Sequence, residues 1–240
     1  MGKLKGKIGD PKKWLNRKIT TTPENGSISD PKIRQAARIG ETLKSSIDEW
    51  FDDTYKHTVS QKEIETLFDD FQKKFTRDIP NKIADPKPSV FTSGLTPKLS
   101  VGNTFTRSLS TTLGEVFEDI ACLSPKVISP NKHFDTKITG VDVLIVDKNT
   151  KEIIFSQMKT TRGTLTGSQR SRSELELSVF RKGIFSAVLD IGNWTFNSQI
   201  VERKCGSEFW GLVGINEYDF IKQKGVKMFE ELEDLFKSFL

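Results

Sequence analysis

Three side chains in one short stretch have the types and spacing needed to act on a phosphate ester. The stretch runs from Val141 to Thr160 and reads VDVLIVDKNTKEIIFSQMKT. Asp142 offers hard anionic oxygens of the kind a divalent cation such as magnesium takes. Gln157 offers a neutral carbonyl oxygen as a second ligand. Lys159 stands at the end of an apolar run, where an ammonium needs an anion to meet. It can hold a phosphate oxygen, or orient and deprotonate an attacking water.

The elements around these residues must bring them together. Val141, Val143 and Ile145 alternate with other residues, as do Ile153 and Phe155, and both runs are rich in β-branched side chains. The pattern predicts paired antiparallel strands over 141–147 and 152–159, joined by a turn at Asp147–Lys151. Gln157 and Lys159 are two apart and leave the same face of their strand. The hairpin sets Asp142 across from that end, so a carboxylate, an amide oxygen and an ammonium converge at one mouth of a sheet.

This constellation resembles the PD-(D/E)XK nuclease superfamily. The proline of the motif is replaced by Val141, and the second acid by Gln157 in the triplet Gln157-Met158-Lys159. The second departure removes one negative charge, so another carboxylate must compensate. In that superfamily a helix precedes the Asp-bearing strand and often carries a glutamate into the active site. Residues 104–123 form such a helix by pattern, with Leu109, Leu113, Val116, Phe117, Ile120 and Leu123 on its buried face. Glu118 matches the superfamily glutamate, with Glu115 as its substitute. The resemblance implies Asp142, Gln157, Lys159 and Glu118 as catalytic residues. Asp142, Gln157, Glu118 and the Met158 carbonyl become ligands to magnesium, or to manganese in its place.

The rest of the chain supplies a scaffold and an anionic partner. The 240 residues carry a formal charge of +5, with an isoelectric point near 9.1, which suits a polyanion. Residues 1–30 hold Lys12, Lys13, Arg17 and further lysines around Trp14, a basic arm able to follow a phosphate backbone or a solvated terminus. Residues 31–78 read as a helical region. Pro31 follows Ser29 and Asp30 at its start, and Ser60 with Glu63 forms a capping box for a second helix. Residues 79–100, with four prolines, read as a connector. Residues 101–240 read as the catalytic domain with a C-terminal helix over 226–240. Ser124–Gly140 reads as a basic loop. The polar segment after Lys159 offers Thr160, Thr161, Arg162, Ser168, Gln169, Arg170 and Arg172 to DNA. Ser173 and Glu176 then open a helix over 173–187. Trp194–Phe196 and Phe209–Ile215 read as strands, with a polar connection at Arg203 and Lys204.

The expected fold class is α/β (mixed α+β): a central mixed β-sheet flanked by helices, restriction-endonuclease-like, with a helical N-terminal region. The two cysteines, Cys122 and Cys205, fit no metal spacing and make no disulfide framework, and two histidines exclude a histidine-rich site. No apolar run reaches the length of a membrane span and no signal peptide is read, so a cytoplasmic protein is expected. The resemblance implies a metal-dependent endonuclease acting on double-stranded DNA, most like a type II restriction enzyme. It implies a homodimer with no nucleotide cofactor. A repair or resolvase enzyme, or one acting on modified DNA, is the second reading. A non-catalytic DNA-binding module on a decayed site is the third.

Overall fold

A computed structural model describes residues 3–86, 97–147, 149–163, 168–195 and 197–240. In chain order the elements are α1 (Pro11–Thr21), α2 (Pro31–Ser45), α3 (Ile47–Trp50), α4 (Gln61–Ala84), α5 (Pro97–Leu123), β1 (Val127–Ile128) and α6 (Pro130–Phe134). There follow β2 (Val143–Asp147), β3 (Glu152–Lys159), α7 (Ser168–Ser178), β4 (Gly183–Ala187), β5 (Glu202–Cys205), α8 (Ser207–Val213) and α9 (Tyr218–Lys237). The fold is mixed α/β with a five-stranded sheet, as expected.

The chain divides into two compact units. The first holds Met1–Thr58 and Ala121–Asn216; the second holds Val59–Ile120 and Glu217–Leu240. These units group the chain differently from the sequence-based division into arm, helical region, connector and one domain over 101–240. Hydropathy marks amphipathic segments but does not say which faces pair, and pairing here joins segments distant in sequence.

In the first unit the sheet order follows the chain, β1-β2-β3-β4-β5. The β1–β2 and β2–β3 pairs are antiparallel, and β3–β4 and β4–β5 are parallel. The hairpin of β2 and β3 is the one the alternation predicts. Its turn is held by Asp147, whose Oδ1 accepts from the Asn149 N–H at 2.9 Å. The parallel β3–β4 pair requires a crossover, and α7 supplies it. One sheet face buries Leu144, Val146, Ile153, Phe155 and Phe185. These pack with Trp14, Leu15 and Ile19 of α1, Ala36, Ile39 and Leu43 of α2, and Leu177 of α7. Phe155 stacks on Phe180 with centroids 4.2 Å apart. On the opposite face the Ser156 and Ser186 hydroxyls meet at 2.7 Å.

Residues 1–30 are therefore not a free basic arm. Asp10 caps α1 by accepting from the Lys13 N–H, and Pro11 opens the helix. The helix exists because Trp14, Leu15 and Ile19 share a face that the sheet buries. Before it, the Lys5 N–H donates to Trp50 O at 2.9 Å. Lys3 is buried, donating to Val127 O at 3.0 Å and to Cys122 O. Burial pushes its ammonium down to about 8. The high lysine count hides this apolar stripe.

Other expectations shift for local reasons. Asp30 caps α2 as its Pro31 signal predicts, and the Ser60–Glu63 capping box opens α4. That helix runs through Pro80 to Ala84, and α5 begins at Pro97. The predicted connector thus keeps only 85–96, of which 87–96 lie outside the described residues. The predicted loop Ser124–Gly140 holds β1 and α6, whose Ser129 cap accepts from the Lys132 N–H. Helix α7 starts at Ser168 rather than at Ser173, and ends before β4, so 183–187 is strand and not helix. Gly183 marks the break: a Cβ there would lie 2.4 Å from Leu177 O. Phe209–Ile215 is not a strand but largely α8, closed by Gly214 at φ 83°. Arg203 and Lys204 lie in β5, a sheet edge whose charged side chains hide it from hydropathy. Trp194 and Thr195 lie outside the named strands, and Phe196 lies outside the described residues.

The second unit is helical: α4, α9 and most of α5. Its core stacks aromatics. Phe68 meets Phe117 at 5.8 Å, Phe75 meets Phe105 at 5.3 Å, and Phe105 meets Phe236 at 4.9 Å. Gln72 donates to Glu231 at 2.5 Å between α4 and α9. Among the described residues no helix is long and apolar enough to cross a membrane.

Candidate active site

The hairpin brings Asp142 to the end of β3. Strand β2 begins at Val143, which pairs with Ser156. The Asp142 N–H donates to Ser156 O at 2.9 Å, and its Oδ2 accepts from the Met158 N–H at 2.7 Å. Asp142 thus grips the main chain on both sides of Gln157. The second bond has a local cause. Gly140, at φ 78°, turns the chain through an Ile138–Val141 bridge, away from the β2–β3 ladder. The Met158 N–H would otherwise meet a β2 carbonyl, and the carboxylate takes that place.

Gln157 and Lys159 lie on the β3 face that carries Phe155. Gln157 is 8 % exposed. Its Oε1 is out of solvent with no hydrogen-bond partner among the described residues. A buried carbonyl oxygen left unpaired costs ~1–3 kcal/mol, which a purely packing residue does not need to incur. Lys159 is half-buried, and its carbonyl accepts from the Val188 N–H at 2.8 Å, extending the β3–β4 ladder. The Asp142 carboxylate, the Gln157 amide oxygen and the Met158 carbonyl are hard oxygen donors of the kind magnesium takes, so the residues fit a divalent cation. Among the described residues no group of three or more His, Cys, Asp or Glu side chains is placed to hold a metal. A cation here would rest on amide and main-chain oxygens beside the carboxylate.

Glu118 is a residue of the second unit, on α5. Its Oε1 is shielded from solvent, while Glu115 is exposed.

A carboxylate expected only to cap a helix is buried beside the turn that leads into Asp142. Glu176 of α7 is 6 % exposed. It packs on the turn before Asp142, so that a Cβ on Gly140 would lie 2.6 Å from Glu176 Cβ and 3.0 Å from Oε2. Its other oxygen, Oε1, accepts from Arg172 Nε at 2.7 Å. The signal available in sequence is the four-residue spacing of Ser173, Leu177 and the adjacent Glu176 on one helical face.

The residues expected to meet DNA fall into two groups. Thr160, Thr161 and Arg162 follow Lys159 alongside the chain after β4: Leu189 N–H donates to Thr160 O at 3.0 Å, and Arg162 N–H to Ile191 O at 3.1 Å. The Arg162 guanidinium bonds Asp190 O, and its Nε is buried without a partner among the described residues. Arg170 donates to Asn197 O at 2.8 Å, Gln169 is exposed, and Ser168 opens α7. So 168–172 is helix rather than loop. In the N-terminal segment, Lys12 pairs with Asp135 at 2.5 Å while its side chain stays half exposed. Lys13 and Arg17 are exposed on α1.

Compared with known protein families, curated proteins and solved structures, the chain matches none of them.

Proposed function

We propose that this protein is a metal-dependent endonuclease hydrolysing phosphodiester bonds at specific sequences in double-stranded DNA, acting in the cytoplasm as a homodimer. One observation carries the reading. The Gln157 amide oxygen is buried and unpartnered among the described residues, at the strand end where Asp142 is anchored and from which Lys159 projects. A bound magnesium ion would supply charge neutralisation at the scissile phosphate and a more acidic water. Asp142, the Gln157 amide oxygen and the Met158 carbonyl would hold it.

The chain's own groups do the rest. The Met158 N–H fixes the Asp142 carboxylate in one orientation. That preorganises the anion before substrate arrives. Lys159, on the Gln157 face, orients the attacking water and offsets negative charge building on the phosphate. The exposed cations of α1 and the start of α7 bind phosphates along the duplex, with a salt-dependent affinity.

A second reading has its own support. Asp142 already has a structural task in closing the Met158 N–H, which a decayed site on a DNA-binding module would also retain. Incubating the protein with long plasmid DNA and magnesium separates the readings. Discrete fragments support the sequence-specific enzyme. A smear indicates a nonspecific nuclease. Intact DNA that is nonetheless bound indicates the module.

A further inference from the structure

The buried acid beside the Gly140 turn has no part in the reading above. Three observations define it. Glu176 is the acid among the buried polar and charged residues described for this chain. It lies on the turn that leads into Asp142, where only a glycine leaves room for its Cβ and Oε2. Its helix packs on the Phe155 face of β3, the face of Gln157 and Lys159, through Leu177, and Phe180 just beyond the helix stacks on Phe155.

The energetics argue against a simple helix-surface pair. The partner of Glu176 is Arg172, one helical turn earlier, with a side chain 70 % exposed. Water screens an exposed guanidinium, so it is a weak partner, whereas a carboxylate withdrawn from water needs close and well-shielded compensation. The pair alone does not offset that burial. A second requirement comes from charge. With Gln157 in place of an acid, Asp142 is the one carboxylate of the site built above, and a divalent cation there keeps an uncompensated positive charge.

We propose that Glu176 is the second acid of the Asp142 site, supplying the charge that Gln157 lacks, with Arg172 neutralising it until a divalent cation binds. The inference rests on the proposed metal-dependent reading. Glu176 Oε2, on the Gly140 side, is the oxygen turned toward the cation. The Arg172 guanidinium then competes with the cation for this carboxylate, and is released to phosphate when the cation wins. The buried Gln157 oxygen on the same strand face, without a partner among the described residues, is the independent sign of a ligand here.

The test uses manganese alone, titrated into the full chain by calorimetry, with thermal unfolding at each concentration as a second readout. Wild type, Asp142→Asn, Glu176→Gln and Arg172→Met are compared. The proposal expects Glu176→Gln to weaken manganese binding tenfold or more and to lose the manganese-induced rise in Tm, as Asp142→Asn does. It expects Arg172→Met to bind manganese a few-fold more tightly, because a competitor has gone. Wild-type binding by Glu176→Gln beside loss in Asp142→Asn overturns the role of Glu176 and leaves the metal-dependent reading standing. No manganese binding by wild type overturns both. Should Glu176→Gln fail to fold, Arg172→Met decides: tighter binding supports the proposal, and unchanged or weaker binding overturns it.

Discussion

Replacing Gly140 by alanine perturbs the one backbone turn that carries Asp142 to the end of β3. Two costs follow from its surroundings. Gly140 has φ 78°, and an L-residue in this left-handed region costs ~1–2 kcal/mol. The new methyl would stand 2.6 Å from Glu176 Cβ, an overlap that α7 must yield to, at ~1–3 kcal/mol. Against these, alanine restricts the unfolded chain and returns ~0.4–1 kcal/mol. The net destabilisation is about 1–4.6 kcal/mol, a large share of a typical 5–15 kcal/mol. Urea unfolding followed by tryptophan fluorescence measures it. A double-mutant cycle identifies the clash. Glu176→Ala keeps the offending Cβ, so the Gly140→Ala cost should be nearly the same in that background. Glu176→Gly removes the Cβ, and there the cost should fall by ~1 kcal/mol or more. A Gly140→Ala protein within 0.5 kcal/mol of wild type, or a cost indifferent to Glu176→Gly, refutes the packing of α7 on this turn.

Three further outcomes are expected. Leu15→Ala, at a fully buried position of α1, should cost ~2–5 kcal/mol, whereas Lys13→Ala should change stability by less than ~0.5 kcal/mol and weaken DNA binding; equal stabilities would place α1 outside the core. Gln157→Met conserves volume and removes the orphaned oxygen, so the metal-free protein should gain ~1 kcal/mol in urea unfolding while its manganese response shrinks; a loss of stability would mean that the amide is satisfied. Burial, with Lys3 nearby, pushes His133 down to about 4, below its unfolded value near 6.5. The unfolded ring therefore takes its proton first as pH falls, so stability drops from pH 6.5 to 4 and then levels, by ~2 kcal/mol after solvent screening. His133→Gln, which can still accept from the Ser129 N–H that His133 Nδ1 now accepts at 3.1 Å, should lack that part of the acid sensitivity.

The strongest sequence signals were local ones. The β2–β3 hairpin was legible because alternation, β-branched side chains and the Asp147 turn all agree. The starts of α2 and α4 were legible because Asp30–Pro31 and Ser60–Glu63 cap helices with their own side chains. What escaped depends on distant partners. The lysine-rich α1 is a core helix only because the sheet accepts Trp14, Leu15 and Ile19. The apolar run of α8 suits either period, and the charged β5 is a strand only because β4 offers an edge. The placement of Asp142 beside the Gln157–Lys159 end of β3 was readable from the alternation. Glu176 was not, since a buried glutamate on a polar helix looks like any exposed one until its helix is docked.

The proposed metal-dependent nuclease activity rests on Asp142, held by the Met158 N–H beside the buried Gln157 oxygen. The direct measurement is cleavage of long plasmid DNA in magnesium by wild type and by Asp142→Asn, at concentrations where both bind the DNA fully. The account predicts cutting by wild type, none without magnesium, and a loss of at least ~100-fold in Asp142→Asn with binding intact. Equal cutting by the two proteins would contradict it.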